Sequence, residues 1–158
     1  MARIIILNRR YCPGEAWTNR MLAYARGFSE QGADVSLCYL ISDKKRTQYN
    51  IPIPGVTINN LWEKDKLLSR KSRLISFVVN VIRFLKIVEK GDSVFLYGGY
   101  TYQLLIAWIL HRKSNVFCEI TEHPEINKSS TQCRLLNNLN ALFVISKSLQ
   151  QYFINVVH

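Results

Sequence analysis

The chain has few of the residues that mark special architectures. Its seven glycines and four prolines, scattered over 158 residues, form no repeat or low-complexity tract, which excludes collagen-like, solenoid and disordered classes. Its four cysteines, Cys12, Cys38, Cys118 and Cys133, make no CxxC pair and stand at no zinc-finger spacing from a histidine. Neither a structural metal nor a redox motif follows from them, and reduced thiols in a cytoplasmic protein are the expectation. Long apolar runs are also missing. The opening Ile4–Leu7 run is too short for a signal-peptide core. The stretch from Leu74 to Val88 is interrupted by Asn80, Arg83 and Lys86, short of the roughly 18 apolar residues a bilayer span needs. Acidic residues are scarce beside basic ones, 11 against 21, for a net charge of +10.

With 48% hydrophobic and 20% charged residues, the composition is that of one globular domain over residues 1–158. The basic surplus is concentrated in the middle. Between Lys44 and Lys90 eleven Lys or Arg stand against Glu63, Asp65 and Glu89, a candidate contact for an anionic surface. Few aromatics interleave these charges and no nucleic-acid motif appears, so a membrane face suits the stretch better than nucleic acid. A merely solvated basic surface is the plain alternative.

Apolar periodicity alternates between two spacings. Strands are expected at Ile4–Asn8, Asp34–Leu40, Val56–Trp62, Ser93–Tyr97, Val116–Ile120 and Ala141–Ile145. Helices are expected at Trp17–Gln31, Ser72–Glu89, Thr101–Leu110 and Lys147–Val156, the last with Ser146 at its N-cap. The helix over Ser72–Glu89 is apolar almost all round, with one polar stripe through Ser76, Asn80, Arg83, Lys86 and Lys90, and is expected to be heavily buried. Trp17, Tyr24 and Phe28 read as core rather than as an aromatic sugar platform. Continuous apolar strands alternating with helices predict an α/β, Rossmann-like, mostly parallel sheet with helices on both faces.

Ligands of such sheets bind beyond the carboxyl ends of the strands, which directs attention to the loops there. The first, Asn8–Ala16, holds a single glycine, Gly14, and so lacks the GxGxxG fingerprint of a nicotinamide or flavin dehydrogenase. One glycine at a helix mouth still lets backbone approach a phosphate, and equally suits a simple turn. Gly98-Gly99 after the fourth strand would permit close backbone approach to a ligand or serve as a bend. Thr121-Glu122-His123-Pro124-Glu125 is the most informative stretch, with two carboxylates and an imidazole after a buried strand; a solvated acidic loop is the bland reading. No second histidine lies at ligand spacing, so no metal is expected.

The opening Ile4-Ile5-Ile6-Leu7-Asn8 strand with Gly14, the Ala25–Val35 helix-to-strand passage, the Glu119–His123 strand end and Phe143–Leu149 together resemble the N-terminal domain of family 4 glycosyltransferases. These are retaining enzymes of GT-B fold, and the resemblance runs over nearly the whole chain. It implies a nucleotide-sugar donor as co-substrate, no other cofactor, no obligatory metal, and a sugar or lipid-linked acceptor. It puts Gly14 beside the donor's phosphates and His123 near the reacting sugar, with Glu122, Gly98 and Gly99 as further pocket residues. This sequence departs from many relatives in having Pro124 after the histidine. The family's donor-binding C-terminal domain, with its paired-glutamate motif, has no counterpart in these residues. A further domain or a separate subunit is therefore the expected partner, and the chain alone is expected to be inactive. From another class, a non-catalytic membrane-recruitment or partner-binding module of a split transferase accounts for the same residues; a sugar epimerase of the same fold is a third reading. Location on the inner face of the membrane as a peripheral, cytoplasmic protein goes with the basic stretch.

Overall fold

The structure, a computed structural model, describes residues 3–12, 14–41, 53–62, 70–121 and 131–157. The chain is α/β and Rossmann-like, and it divides into two compact units, Met1–Asp92 and Ser93–His158.

The first unit runs β1 (Arg3–Arg10), α1 (Ala16–Glu30), β2 (Asp34–Ile41), β3 (Val56–Asn60), α2 (Arg70–Ile87). β2 lies in the middle, parallel to both neighbours, with Ile5 opposite Ser36 on one side and Leu37 opposite Ile58 on the other. A strand paired on both edges and covered by helices must be apolar throughout rather than alternating. Val35 to Leu40 are accordingly all buried, as are Ile5, Ile6 and Leu7 on β1. α1 packs on this sheet through Thr18, Met21 and Ala25. Trp17, Tyr24 and Phe28, expected in the core, are only half-buried, with Tyr24 and Phe28 rings 6.4 Å apart along the helix flank. Arg3 ties the start of β1 to the turn after α2, with Nη1 3.4 Å from the buried Asp92 and 3.5 Å from Glu89.

α2 corrects the sequence reading. It was expected to be buried nearly all round with a polar stripe left over. Instead Asn80, from that stripe, is fully buried together with Phe84 and Val88, while Leu74, Ile75, Val78 and Ile82 are exposed. The reason is hydrogen bonding. Asn80 Nδ2 donates to the Leu40 carbonyl at 2.9 Å, Arg83 Nη1 donates to Asn80 Oδ1 at 2.7 Å, and the same Nη1 donates to the Leu61 carbonyl at 3.1 Å. Carbonyls at and beyond the ends of β2 and β3 thus find donors on the helix, and a buried carbonyl without a donor would cost about 1–3 kcal/mol. That requirement outweighs placing four more aliphatic side chains inward.

The second unit runs β4 (Ser93–Tyr97), α3 (Thr101–Leu110), β5 (Asn115–Ile120), α4 (Thr131–Leu136), β6 (Ala141–Val144), α5 (Lys147–Val157). β5 is central, parallel to β4 and β6, with Phe95 opposite Phe117 and Phe117 opposite Ala141. Leu104, Ile106, Ala107 and Leu110 of α3 are buried. α4, which the spacing of apolar residues had not signalled, buries Cys133, Leu135 and Leu136 and lies against α3 and α5. Ser146 caps α5 as expected, its hydroxyl accepting the Leu149 amide at 3.1 Å.

Candidate functional site

Each unit presents its own set of groups at the carboxyl ends of its strands. In the first, β1 ends at Arg10 and the chain turns over Cys12–Glu15, closed by the Glu15 amide donating to the Cys12 carbonyl at 3.2 Å. Gly14, third in that turn, has φ +82°, a left-handed conformation that glycine adopts without strain. A Cβ built on Gly14 would meet no atom within 4 Å, so the space at its Cα is open. The buried Thr18 hydroxyl accepts the Cys12 amide at 3.2 Å and fixes the turn to the first turn of α1. Glu15, the N-cap, is extended and its side chain makes no capping bond, and the first turn of α1 carries no acid. Helix-end amides uncompensated by a side chain attract anions.

Beside this turn lies a feature the sequence did not single out. Asn8, 4% exposed near the end of β1, accepts the Arg9 amide on Oδ1 at 2.7 Å, which leaves its Nδ2 buried without a protein partner. Its register neighbour on β2 is Tyr39, whose buried hydroxyl likewise has none. The Tyr39 ring meets Tyr11 edge to face, centroids 5.6 Å apart, and burial pushes the ionisation of both phenols to higher pH. A strand-terminal Asn inside an Ile-rich run was the available signal, since an amide in a buried strand must find a use.

In the second unit, β4 ends in Tyr97, followed by Gly98 and Gly99 at φ +108° and +64°. The Gly98 amide donates to the Glu119 carbonyl at 2.8 Å. A Cβ on Gly98 would stand 2.7 Å from Tyr100 Cε2, and one on Gly99 2.5 Å from Ile120 Cδ1. Both glycines hold backbone that other residues rarely adopt, and at Gly99 the buried Ile120 leaves no room for a Cβ as well. Gln103, fully buried, locks the bend: its Oε1 accepts the Tyr100 amide at 3.0 Å and its Nε2 donates to the Tyr97 carbonyl at 2.6 Å. At the ends of β4 and β5 the Tyr97 and Thr121 hydroxyls stand 3.3 Å apart, and Gln132 donates to Thr101 Oγ1 at 2.8 Å. Thr121 is the residue before Glu122. Glu122 and His123 themselves lie outside the described residues, so the structure brings Gly98 and Gly99 to the end of β5 and leaves the two principal candidates unplaced.

Much of the basic stretch, including Lys44, Lys45, Arg46, Lys64 and Lys66, also lies outside the described residues. Within the rest, Arg83 is turned to the Leu61 carbonyl and Asn80 Oδ1, whereas Lys86 and Lys90 are exposed. Cys38 and Cys118 pack as small hydrophobes, as expected; burial pushes each thiol from 9.0 up to about 12. Among the described residues no group of three or more His, Cys, Asp or Glu is placed to hold a metal ion. Comparison with models of known protein families gives no match, and a search of curated proteins finds no relative.

Proposed function

We propose that the chain is the acceptor-side, N-terminal domain of a GT-B-type glycosyltransferase that moves a sugar from a nucleotide-sugar donor to a glycan or lipid-linked acceptor. It would work with a donor-binding domain or subunit and be inactive alone. The observation that carries the reading is the β1–α1 turn. Gly14 is held left-handed with open space at its Cα, directly before a helix whose first amides have no side-chain cap. Such a turn admits a diphosphate to backbone N–H groups that stabilise the charge of the departing nucleotide. The parallel α/β architecture and the family 4 resemblance of the sequence support the same reading.

In this mechanism a second domain closes on the donor and excludes water, and an acceptor hydroxyl attacks the anomeric carbon as the diphosphate leaves. His123 would position the sugar or the hydroxyl, with Glu122 as a further pocket residue, and Gly14 would admit the phosphates. Gly98 and Gly99 contribute through the bend that sets Tyr100 and the start of α3. Asn8, an amide donor near the end of β1, is added to the candidates on its unpartnered Nδ2. The test is transfer by the chain joined to a donor domain: nucleoside diphosphate should be released in an acceptor-dependent reaction that His123→Ala abolishes. Turnover by residues 1–158 alone would overturn the division of labour.

A second reading, a non-catalytic membrane-recruitment or partner-binding module, is favoured by the exposed apolar face of α2. It predicts lipid binding without any transfer by the joined protein.

A further inference from the structure

We infer that the outward face of α2 is a lipid-docking surface, on which Leu74, Ile75, Val78 and Ile82 enter the headgroup region of an anionic membrane. The inference names the surface behind the membrane arm of the preceding section and is independent of transfer chemistry.

Four large aliphatic side chains lie in the open on this one helix, with relative exposures of 68%, 65%, 50% and 47%. Positions 74, 75, 78 and 82 fall at helical spacing, so the four form one strip rather than scattered exceptions. Isolated exposed aliphatics need no explanation, whereas a contiguous strip marks a surface that something covers. Lys86, one turn beyond Ile82 on the same side, is exposed and continues the strip with a cation.

Charge identifies what covers it. α2 spans Arg70–Ile87 with no acid at all; of its five cations Arg83 is engaged inward by the Leu61 carbonyl and Asn80, which leaves Arg70, Lys71, Arg73 and Lys86 as the charge the helix carries for a partner. The chain as a whole carries +10. A second copy of this chain seated face to face would bring two acid-free, cationic helices together, which like-charge repulsion opposes. An anionic lipid surface supplies the complement: phosphate and carboxylate headgroups for the cations, and acyl chains a few ångströms below for the aliphatics. Branched aliphatics on the outer side and basic residues along the same helix are the pattern of a helix that lies in the interface plane. No helix among the described residues is long and apolar enough to cross a membrane, and α2 is held on its inner side by Asn80 and Phe84, so it seats on the surface without spanning. The polar inner contact of α2 thus has a function: it turns the aliphatics outward.

The experiment is partitioning of the full chain onto vesicles of phosphatidylserine in phosphatidylcholine, against pure phosphatidylcholine, at low and high salt. Wild type is expected on the anionic vesicles, weakened by salt and weak on the neutral ones. The triple variant Ile75→Ser, Val78→Ser, Ile82→Ser should retain its circular dichroism spectrum and partition at least ~10-fold less well. Lys86→Gln should also lose about fivefold, mainly at low salt. Leu105→Ser with Ile109→Ser, on the exposed side of α3, should stay within about twofold of wild type, since binding strength follows the apolar area buried at the docking helix. Absence of wild type from the anionic vesicles, a triple variant that binds like wild type, or equal loss on altering α3 would each overturn the assignment. So would a concentration-dependent dimer that the triple variant dissolves, which would give the face to a second copy. A failed transfer assay beside intact vesicle binding would refute the transferase reading and leave this one standing.

Discussion

Asn80→Ala should be among the most damaging single substitutions in the first unit, although it removes only a small polar group from a helix. Asn80 is fully buried, donating to the Leu40 carbonyl at 2.9 Å and, more weakly, to Ser76 Oγ at 3.5 Å, and accepting from Arg83 at 2.7 Å. Truncation leaves the Leu40 carbonyl without this donor, worth about 1–3 kcal/mol, and removes a charge-assisted bond worth about 1.5–3 kcal/mol. Arg83 keeps the Leu61 carbonyl at 3.1 Å and is half-buried, so part of the second term is recovered from water. A net loss of roughly 2–4 kcal/mol follows, equivalent to a melting shift of roughly 5–15 °C in a chain of this size. Urea unfolding followed by circular dichroism measures it, and a double-mutant cycle with Arg83→Ala should return a coupling of about 1–3 kcal/mol. The internal control is Ile82→Ala. A buried helix of the kind the sequence suggests would lose about 2–5 kcal/mol there, whereas the exposed Ile82 should cost within about 0.5 kcal/mol. If Ile82→Ala proves the more costly and Asn80→Ala nearly silent, α2 faces the other way and the lipid-docking inference falls with it.

Gly99→Ala combines a left-handed backbone with a Cβ 2.5 Å from Ile120 Cδ1, and should destabilise by about 2–4 kcal/mol; Gly14→Ala, equally left-handed but unobstructed, should cost about 1 kcal/mol, both by denaturant unfolding. A transfer rate that falls in the joined Gly14→Ala protein far beyond that small destabilisation would mark the phosphate role. Cys38 and Cys118 should resist alkylation at pH 8 in the native chain and react only on unfolding, while the partly exposed Cys12 labels readily; mass spectrometry of the labelled peptides reads this directly. The same two thiols fix a sign for pH. Burial raises their folded-state ionisation from 9.0 to about 12, so between these values the folded chain holds more protons than the unfolded one. Their contribution to stability is complete below about pH 9 and declines toward pH 12, which urea midpoints across that range should show.

Periodicity placed most elements within a few residues because strands paired on both edges are continuously apolar, as Val35–Leu40 shows, and because helix signals such as Ser146 are local. What escaped was decided by distant groups. The stripe through Asn80 and Arg83 looks like a solvent face until the Leu40 and Leu61 carbonyls, 40 and 22 residues away, are known to need donors. α4 has six residues, too few for a period to show in sequence. At the candidate site, Gly14 and the Gly98-Gly99 bend were legible because positive φ selects glycine. Asn8 and Tyr39 were not, because their adjacency exists only through strand register. Glu122 and His123 rest on sequence alone.

The most direct test of the transferase reading joins residues 1–158 to a donor-binding domain or subunit and measures nucleoside diphosphate release from a panel of nucleotide sugars, with and without acceptor. The account predicts acceptor-dependent release from the joined protein, none from residues 1–158 alone, and loss in a folded His123→Ala variant. Release that ignores the acceptor and survives His123→Ala, or no release with any donor, would contradict it.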